Sequence, residues 1–501
     1  MALRLLRIQA SGVMGDKRRI FLTGATGVMG GAAMREIMAA APAQGYSLTV
    51  LARPSKCNHA KLAPYERRGL KVIWGDLLNA DYISRGVEGA DIVLHVGGMV
   101  SPAADLQPAK TLRVNVAAMD NVIAAALKEQ QRGHMVEVVY IGSVAQMGWR
   151  GEPFHWGRVG DPVRTAVFDM YALSKSLSEF KLVNSGLRRW VSLRQTGILH
   201  GGLLLNANSQ TAFHVPVRGA LEWVTDRDSG RLLERMCRSD VPEDFWCDYY
   251  NIGGGEAYRL SNYAFEKIIL SALGCPPPEK VFDARWFATR NFHGMWYTDS
   301  DRLEELFHFR SGDSPEEFLR SLRGDLPWWL SMAKLAPAAC MKMYMKTVAS
   351  GSPNGPLSWR RSGDKEKIEA YFGSQELWDA QPGWEGIERR PLDRRPLLLD
   401  HGYDENMEIG SMTARDLDYV AQFRGGRHLQ TLAPGTKENP TAEPTELWRC
   451  SQGHEFRATR WSVVRGGHWC PECLRLSATS LQWNKKITES APFLLQLNAM
   501  Y

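Results

Sequence analysis

The sequence has no long hydrophobic run. None of its 501 residues belongs to a stretch of eighteen or more uncharged apolar residues, so no membrane-spanning helix is expected. The first residues, MALRLLRIQASGVMG, contain two arginines and apolar patches that are too short for a signal peptide. We therefore interpret residues 1–17 as an N-terminal tail, with Met14 as an alternative start.

The sequence also lacks a dense set of cysteines, and neither sign of charge strongly predominates. Of the eight cysteines, only Cys450, Cys470 and Cys473 lie close together, which does not fit the disulfide framework of a small secreted domain. A reducing, cytoplasmic location is expected. The net charge of +6 comes from residues of mixed sign, so nucleic acid is not an expected partner.

A glycine-rich turn near the N-terminus is the first feature that indicates chemistry. An apolar run at 20–22 passes into the sequence TGATGVMG and then into the helix-forming residues 32–41. Gly24 permits a tight turn, Gly27 lets a pyrophosphate approach the backbone, and Gly30 lets the helix lie close to the strand. The residues predicted to line this phosphate site are Gly24, Thr26, Gly27, Val28, Met29 and Gly30.

Further apolar runs alternate with helical segments along the first two hundred residues. Strands after the first are predicted at 47–52, 70–74, 91–96 and 136–141, and a long helix at 112–129. Strands that alternate with helices form βαβ units, which pair in parallel. The predicted fold class is therefore α/β, with a doubly wound parallel sheet of the Rossmann type.

The residues at the ends of these strands indicate which dinucleotide would bind. Arg53, with Lys56 nearby, follows the second strand, where an arginine suits a 2′-phosphate, so NADP(H) is favoured over NAD(H). Asp76 and Leu77 follow the third strand, where a carboxylate can bind the adenine edge. Gly97 follows the fourth strand, where a small residue lets the cofactor pass over the sheet.

Tyr171 and Lys175 form a candidate proton relay with Ser143, which ends the fifth predicted strand. The two residues are four apart, so they share one face of a predicted helix. An ammonium group stabilises a phenolate, so we expect Lys175 to lower the pKa of Tyr171. Pairs of tyrosine and lysine are common on solvated helices. Because this pair follows five strand and helix units, it is a stronger indication of a catalytic relay than an isolated pair.

These motifs resemble the extended short-chain dehydrogenases/reductases over about residues 18–325. The quoted residues are the TGATGVMG turn, Gly75, Asp76, Asn115, Ser143, and the Tyr171 and Lys175 pair. The layout is similar to that of 3β-hydroxysteroid dehydrogenases. The resemblance implies a cofactor part at about 18–190 and a smaller substrate part at about 191–325.

The resemblance also implies roles for the site residues. Tyr171 would transfer the alcohol proton, Lys175 would bind the nicotinamide ribose, and Ser143 would bind the substrate oxygen. Asn115 would support the relay. Family members often form dimers through helices beside the active site, so a homodimer is a further expectation.

The sequence is compatible with more than one class of substrate. Val144 and Ala145 stand where the family's sugar-nucleotide dehydratases carry an acidic pair, so dehydration is not expected. The stretch 201–224 is rich in leucine and aromatic residues, which favours an apolar alcohol or ketone such as a 3β-hydroxysteroid or 3-oxosteroid, unless these residues are core. The alternatives are a nucleotide-sugar epimerase and a non-catalytic dinucleotide sensor with a partner-binding zinc ribbon.

Residues 326–435 show no recognised chemistry and are predicted to form a helical or irregular extension. The segment 325–350 contains Trp328, Trp329, several methionines and three lysines. It is interpreted either as a helix that packs the extension onto the core or as an interfacial helix that contacts a membrane surface.

The tail, residues 436–501, carries a pattern typical of metal ligands. Cys450 and His454 form one pair, and Cys470 and Cys473 form a second pair in a Cys-x-x-Cys turn. Three thiolates and one imidazole complete a tetrahedral shell, which predicts one structural zinc ion. The tail resembles small zinc-ribbon domains with the patterns W-x-C-x-x-G-H and C-P-x-C.

Overall fold

The computed structural model describes residues 17–101, 103–205, 209–322, 327, 334–432 and 445–498. Some expectations concern residues outside the described ranges. These residues are 1–16, 206–208, Trp328, Trp329 and 433–444.

The strands and helices follow one another along the chain. The strands are β1 (Arg18–Thr23), β2 (Tyr46–Ala52), β3 (Lys71–Trp74), β4 (Ile92–His95), β5 (Glu137–Ser143), β6 (Trp156–Gly157), β7 (Trp190–Gln195), β8 (Gly197–Leu199), β9 (Ala220–Thr225), β10 (Asp248–Ile252), β11 (Arg259–Ser261), β12 (Trp296–Tyr297), β13 (Arg427–Thr431), β14 (Thr445–Arg449) and β15 (Glu455–Thr459). The helices are α1 (Val28–Gln44), α2 (Lys56–Glu66), α3 (Ala80–Val87), α4 (Ala103–Leu106), α5 (Pro108–Gln131), α6 (Met170–Val183), α7 (Gly201–Leu205), α8 (Asp226–Met236), α9 (Asn262–Ala272), α10 (Pro278–Val281), α11 (Asp301–Phe307), α12 (Pro315–Ser321), α13 (Ala338–Ala349), α14 (Pro356–Ser362), α15 (Lys365–Phe372), α16 (Gln375–Asp379), α17 (Ala414–Phe423), α18 (Arg460–Val464), α19 (Pro471–Thr479), α20 (Leu481–Ser490) and α21 (Pro492–Asn498).

A seven-stranded parallel sheet forms the centre of the N-terminal part. Its strand order is β3-β2-β1-β4-β5-β7-β10, and every neighbouring pair is parallel. Residues of α1 and α8 pack on one face, and residues of α3 and α5 pack on the other. The predicted Rossmann-type α/β fold is confirmed. The strand order reverses between β1 and β4, which is where such sheets bind ligands.

The substrate part contains smaller sheets beside the carboxyl ends of the main strands. One sheet has the order β11-β9-β8, and β12 pairs with β6. The hydrophobic core of the substrate part includes the aromatic residues Phe213, Phe282 and Phe287, whose ring centroids lie 5.2 to 6.0 Å apart.

The extension is fastened to the substrate part by many hydrogen bonds. The indole of Trp378 donates to the carbonyl oxygen of Arg285 at 2.8 Å. The amide of Thr289 donates to the carbonyl oxygen of Tyr371 at 3.0 Å. Met345 and Ala349 of α13 are buried in the Phe213 cluster, so this helix packs on the core, although its Met343 is exposed.

The tail forms a three-stranded antiparallel sheet followed by helices. Its order is β13-β14-β15, so the extension contributes one strand. In the part of the chain that the structure describes, no helix is both long and apolar enough to cross a bilayer.

Candidate active site and metal centre

The glycine turn between β1 and α1 has the geometry of a phosphate cradle. Gly24 has a φ of +81°, and a Cβ there would lie 2.8 Å from the backbone of Gly97. A Cβ on Gly30 would lie 2.2 Å from the carbonyl oxygen of Gly24. Gly27 precedes α1 without any side-chain cap, so the first amides of that helix are available to an anion.

The ends of β2 and β3 lie beside this turn. The Arg53 side chain is exposed and forms no ion pair with any residue that the structure describes. Asp76 accepts a hydrogen bond from the amide of Leu78 at 2.9 Å, and the side chain of Leu77 lies next to Gly97. Lys61 of α2 donates to the carbonyl oxygen of Thr26 at 3.4 Å, which places a second cation at the turn. The sequence analysis missed Lys61, because its contact depends on how α2 folds back.

Ser143, Tyr171 and Lys175 come together at the carboxyl edge of the sheet. Ser143 is the last residue of β5, and its hydroxyl accepts from the amide of Ala145 at 3.2 Å. Tyr171 lies in the first turn of α6, close enough to Ser143 for that side chain to act on its pKa. The ammonium group of Lys175 lies 6.0 Å from the centre of the Tyr171 ring and donates to the carbonyl oxygen of Ile141 at 2.7 Å. The three residues therefore form one contiguous site.

Burial controls the proton affinities in this site. It raises the pKa of Tyr171 to about 12, against the opposing hydrogen bond from Ser143. Burial also lowers the pKa of Lys175 to about 8. We expect the Lys175 cation to oppose this rise in the pKa of Tyr171, and that expectation stays a prediction.

Asn115 contacts the loop that contains Met99 and the side chain of Ser174. Its side-chain oxygen accepts from the amide of Met99 at 2.7 Å, and its amide donates to the hydroxyl of Ser174 at 2.8 Å. It thus holds the loop after β4 against α6.

A polar cluster lies next to Tyr171 and was not predicted from the sequence. Asp169 caps α6 through the amide of Ala172 at 2.8 Å, and its other oxygen lies 3.3 Å from Nδ1 of His293. Burial and the neighbouring Asp169 raise the pKa of Asp105 to about 6. Tyr371 of the extension is close to both carboxylates, which help to raise its pKa.

The backbone around this cluster is locked in an uncommon conformation. Phe168 and Asn291 have φ values of 69° and 63°. The side chain of Asn291 bonds to both the amide and the carbonyl of Val167, at 2.9 and 3.1 Å. Positive φ at non-glycine residues persists where the surrounding structure enforces it, often at functional sites. Only the position of Asp169, two residues before Tyr171, could have signalled this cluster in the sequence.

The apolar residues of 201–224 divide between the core and the surface. Leu204 and Phe213 are buried, and Trp223 stacks on Phe265 with ring centroids 4.0 Å apart. Leu205 is 42% exposed, so burial in the core accounts for only part of this apolar stretch. The polar residues near Tyr171 come from other segments.

The four predicted metal ligands converge. Cys450 and His454 flank the turn between β14 and β15, and Cys470 and Cys473 lie at the start of α19. Their ligand atoms all lie within 4.8 Å of one another. Three buried thiols and one half-buried imidazole suit a tetrahedral zinc ion. We call this cluster the Cys/His centre.

The sheet order and the glycine turn define a Rossmann-type α/β domain. Residues 20–185 match the model of the NAD dependent epimerase/dehydratase family.

Curated relatives share short stretches of sequence with the chain. The human 3 beta-hydroxysteroid dehydrogenase type 7 is 29% identical over 140 residues, which are 26% of this chain and 37% of the human protein. The mouse protein of the same name is 31% identical over 140 residues, again 26% of this chain and 37% of the relative. The chain thus spans about two fifths of the length of these relatives.

Solved structures of similar fold come from sugar-nucleotide enzymes. The dTDP-glucose 4,6-dehydratase DesIV of Streptomyces venezuelae, with NAD and TYD bound, is 20% identical with a TM-score of 0.48. The match covers 62% of this chain and 98% of DesIV. The UDP-glucuronic acid 4-epimerase of Bacillus cereus, in complex with UDP-glucuronic acid and NAD, is 14% identical with a TM-score of 0.47, over 66% of this chain and 99% of that one.

Proposed function

We propose that the protein is an NAD(P)(H)-dependent oxidoreductase that interconverts a secondary alcohol and a ketone. The observation that carries the proposal is the grouping of three side chains at the sheet edge that also holds the glycine turn: Ser143 ends β5, and the ammonium group of Lys175 lies 6.0 Å from the centre of the Tyr171 ring. A binding module would not need a buried phenol, hydroxyl and ammonium in this arrangement.

Each residue of the relay has a defined task. Tyr171 exchanges the proton of the substrate hydroxyl, and Ser143 holds the substrate oxygen. Lys175 binds the nicotinamide ribose and stabilises the tyrosinate that forms during oxidation. A bound dinucleotide supplies the hydride acceptor or donor. Asn115 positions the Met99 loop and Ser174 without touching the reacting atoms.

The dinucleotide is proposed to lie across the glycine turn. The first amides of α1 would bind its pyrophosphate, and Leu77 and Gly97 would border it. The exposed Arg53 and the nearby Lys61 favour a 2′-phosphate, and therefore NADP(H) over NAD(H).

For the substrate, we propose a 3β-hydroxysteroid or 3-oxosteroid as the first class to test. Its support is the similarity to 3 beta-hydroxysteroid dehydrogenase type 7, because the apolar stretch 201–224 contributes Leu204 and Phe213 to the core. The experiment is a panel of 3β-hydroxysteroids and small secondary alcohols, assayed for NAD(P)H formation. Turnover of any of them supports the oxidoreductase, and turnover of none contradicts it.

A nucleotide-sugar epimerase is the second candidate. It is favoured by the cluster of Asp169, His293 and Tyr371, whose polar groups can bind sugar hydroxyls beside the relay. An epimerase would retain tightly bound NAD after purification and would convert UDP-glucose to UDP-galactose without net NADH. If neither property is found, this candidate is excluded for that substrate pair.

We further propose that the Cys/His centre binds one zinc ion in a closed, structural site. The full set of four protein ligands leaves no position for a substrate or a catalytic water.

A further inference from the structure

The Cys/His centre is connected to the helix of the catalytic residues by one short loop, 465–468. His468 lies two residues before the ligand Cys470, and its Nε2 lies 2.8 Å from a carboxylate oxygen of Glu179. Glu179 is on α6, four residues after Lys175, and all of its surface is buried. A residue next to the metal ligands therefore contacts the helix that carries the relay.

The loop completes a buried charged network. One Glu179 oxygen lies 2.6 Å from the guanidinium of Arg194, and the other accepts from the Ser192 hydroxyl at 2.6 Å. Arg194 also donates to the carbonyl oxygen of Gly466. Buried charges are tolerated only when they are paired and hydrogen-bonded. The loop therefore supplies two partners that this ion pair would lack without the tail.

Two glycines let the loop approach this closely. A Cβ on Gly466 would lie 2.4 Å from the hydroxyl oxygen of Tyr249. Gly467 has a φ of +71°, and a Cβ there would lie 2.0 Å from the carbonyl oxygen of Asp161. The carbonyl of Gly467 also accepts from the amide of Val163 at 2.9 Å. A larger residue at 467 would force the loop away from the core.

Helix α19 packs against the N-terminal half of α6. It begins directly after Cys470, and the ligand Cys473 lies in its first turn. Its residue Ala478 packs with Leu173 and Leu177 of α6. The carbonyl oxygen of Ala478 accepts from the amide of Phe168 at 2.8 Å, three residues before Tyr171. The tail thus contacts α6 on both sides of Tyr171 and Lys175.

We propose that the Cys/His centre positions the catalytic helix: a metal ion bound there fixes α19 and the loop 465–468, and these hold α6 in the geometry that the relay and the dinucleotide require. The proposal rests on the proposed function, because it takes Lys175 as a ligand of the dinucleotide. The residues of the loop are positioning residues and touch neither substrate nor cofactor.

The first test separates the loop from the metal. Gly467→Ala clashes with the core, whereas Gly312→Ala is a matched control, because Gly312 has a φ of +82° and open space around its Cβ position. Both variants are loaded with Co²⁺, whose absorption spectrum reports thiolate ligation. Hydrogen exchange of residues 170–183 and the Kd for NADPH are then measured on the full chain.

We expect Gly467→Ala to keep the Co²⁺ spectrum, to exchange about tenfold faster in α6 and to bind NADPH about tenfold more weakly. Gly312→Ala should match the wild type in all three measurements. Equal α6 exchange and equal NADPH affinity in the two variants would overturn the proposal.

A second test needs no variant. The metal is removed from the folded wild type with excess chelator, and its loss is followed by mass spectrometry. We expect faster exchange in α6 and unchanged exchange in α1, which the tail does not hold. A wild type without metal, or a metal-free protein with unchanged α6 exchange, would contradict the proposal. A wild type that binds metal but no dinucleotide would instead refute the proposed function, and the exchange data would still decide the role of the metal.

Discussion

Tyr171 holds its proton more tightly than a free phenol does. Its pKa is raised to about 12 by burial, and the hydrogen bond from Ser143 only partly opposes this. A tyrosine with this pKa is protonated at neutral pH, which suits it to donate a proton during ketone reduction. For alcohol oxidation, the positive charge of an oxidised nicotinamide and of Lys175 must favour the tyrosinate.

Removing the Tyr171 hydroxyl tests the relay directly. We expect Tyr171→Phe to lower kcat by about 10²–10⁴-fold, because the proton loses its carrier, while the Kd for NADPH stays unchanged. Steady-state kinetics and fluorescence titration measure the two effects. Tyr419→Phe, on the exposed helix α17, is the control. Retained kcat in Tyr171→Phe would remove this residue from the mechanism.

Lys175 should make stability depend on pH in the alkaline range. Burial lowers its pKa from 10.5 to about 8, so the folded state disfavours the cation. The unfolded chain then binds more protons between about pH 8 and 10.5, and the free energy of unfolding rises with pH across this window. The full effect corresponds to about 3 kcal/mol.

Lys175→Met removes the free-energy cost of burying the Lys175 cation. We expect the variant to be more stable than the wild type at pH 7, by up to about 3 kcal/mol, and to lose this advantage by pH 10.5. Urea unfolding at both pH values measures it. Lys181→Met, on the exposed end of the same helix, should show no such pH dependence. An equal stability difference at both pH values would contradict the assigned pKa.

Arg53 tests the choice of dinucleotide. We expect Arg53→Asp to weaken NADPH binding by at least about tenfold and to leave NADH binding nearly unchanged, because only NADPH carries the 2′-phosphate. Arg67→Asp, at the far end of α2, changes the charge equally and is the control. Equal losses for both nucleotides would refute the 2′-phosphate site.

At the scale of elements, the strands could be predicted because each is a short apolar run between turn residues. The apolar runs at 47–52, 91–96 and 136–141 became β2, β4 and β5 within one or two residues. Local patterns carry this information, since parallel strands buried on both faces are continuously apolar. The glycine turn was predictable for the same local reason.

The environment of the site depends on contacts between distant segments, which no local pattern reveals. Asp169 and His293 are 124 residues apart in sequence, and Tyr371 comes from an extension without a recognised motif. Burial raises the pKa of Tyr171, and burial of a side chain depends on packing between segments that a local pattern does not describe. The leucines of 201–224 have the composition of either a pocket or a core, and only packing decides between them.

The extension is tied to the Rossmann part by a second buried network. Asp161 lies 2.9 Å from the guanidinium of Arg150 and 3.0 Å from Nε2 of His401 in the extension. Burial alone would raise the pKa of Asp161, but Arg150 and His401 hold it below its ordinary value.

We expect Asp161→Asn to destabilise the protein by about 3–5 kcal/mol, because it leaves Arg150 buried without a counter-ion. Asp379→Asn breaks the exposed pair with Arg360 and should cost at most about 1 kcal/mol. Thermal or urea unfolding compares the two variants. Similar, small effects in both would show that the buried network does not stabilise the fold.

At the scale of the whole molecule, the tail occupies a surface that a second copy of the chain could otherwise cover. Ala478 of α19 and Leu112 of α5 pack with Leu173 and Leu177 of α6. The expected homodimer through the helices beside the active site would need this face.

We therefore expect the full chain to sediment as a monomer, because α19 already covers the leucines of α6. Sedimentation velocity at several concentrations distinguishes a monomer from a dimer. A full-length dimer whose cross-links join α6 to α6 would contradict this expectation.

Three buried carboxylates share one arrangement, with an arginine on one side and a histidine from the C-terminal half on the other. Glu179 has Arg194 and His468, Asp161 has Arg150 and His401, and Glu446 has Arg460 and His428. A ribosome synthesises the carboxylates of the first two networks hundreds of residues before their histidines. A chain that lacks these histidines therefore has an incomplete core, and α6 gains its last buried partner only after His468 has been synthesised.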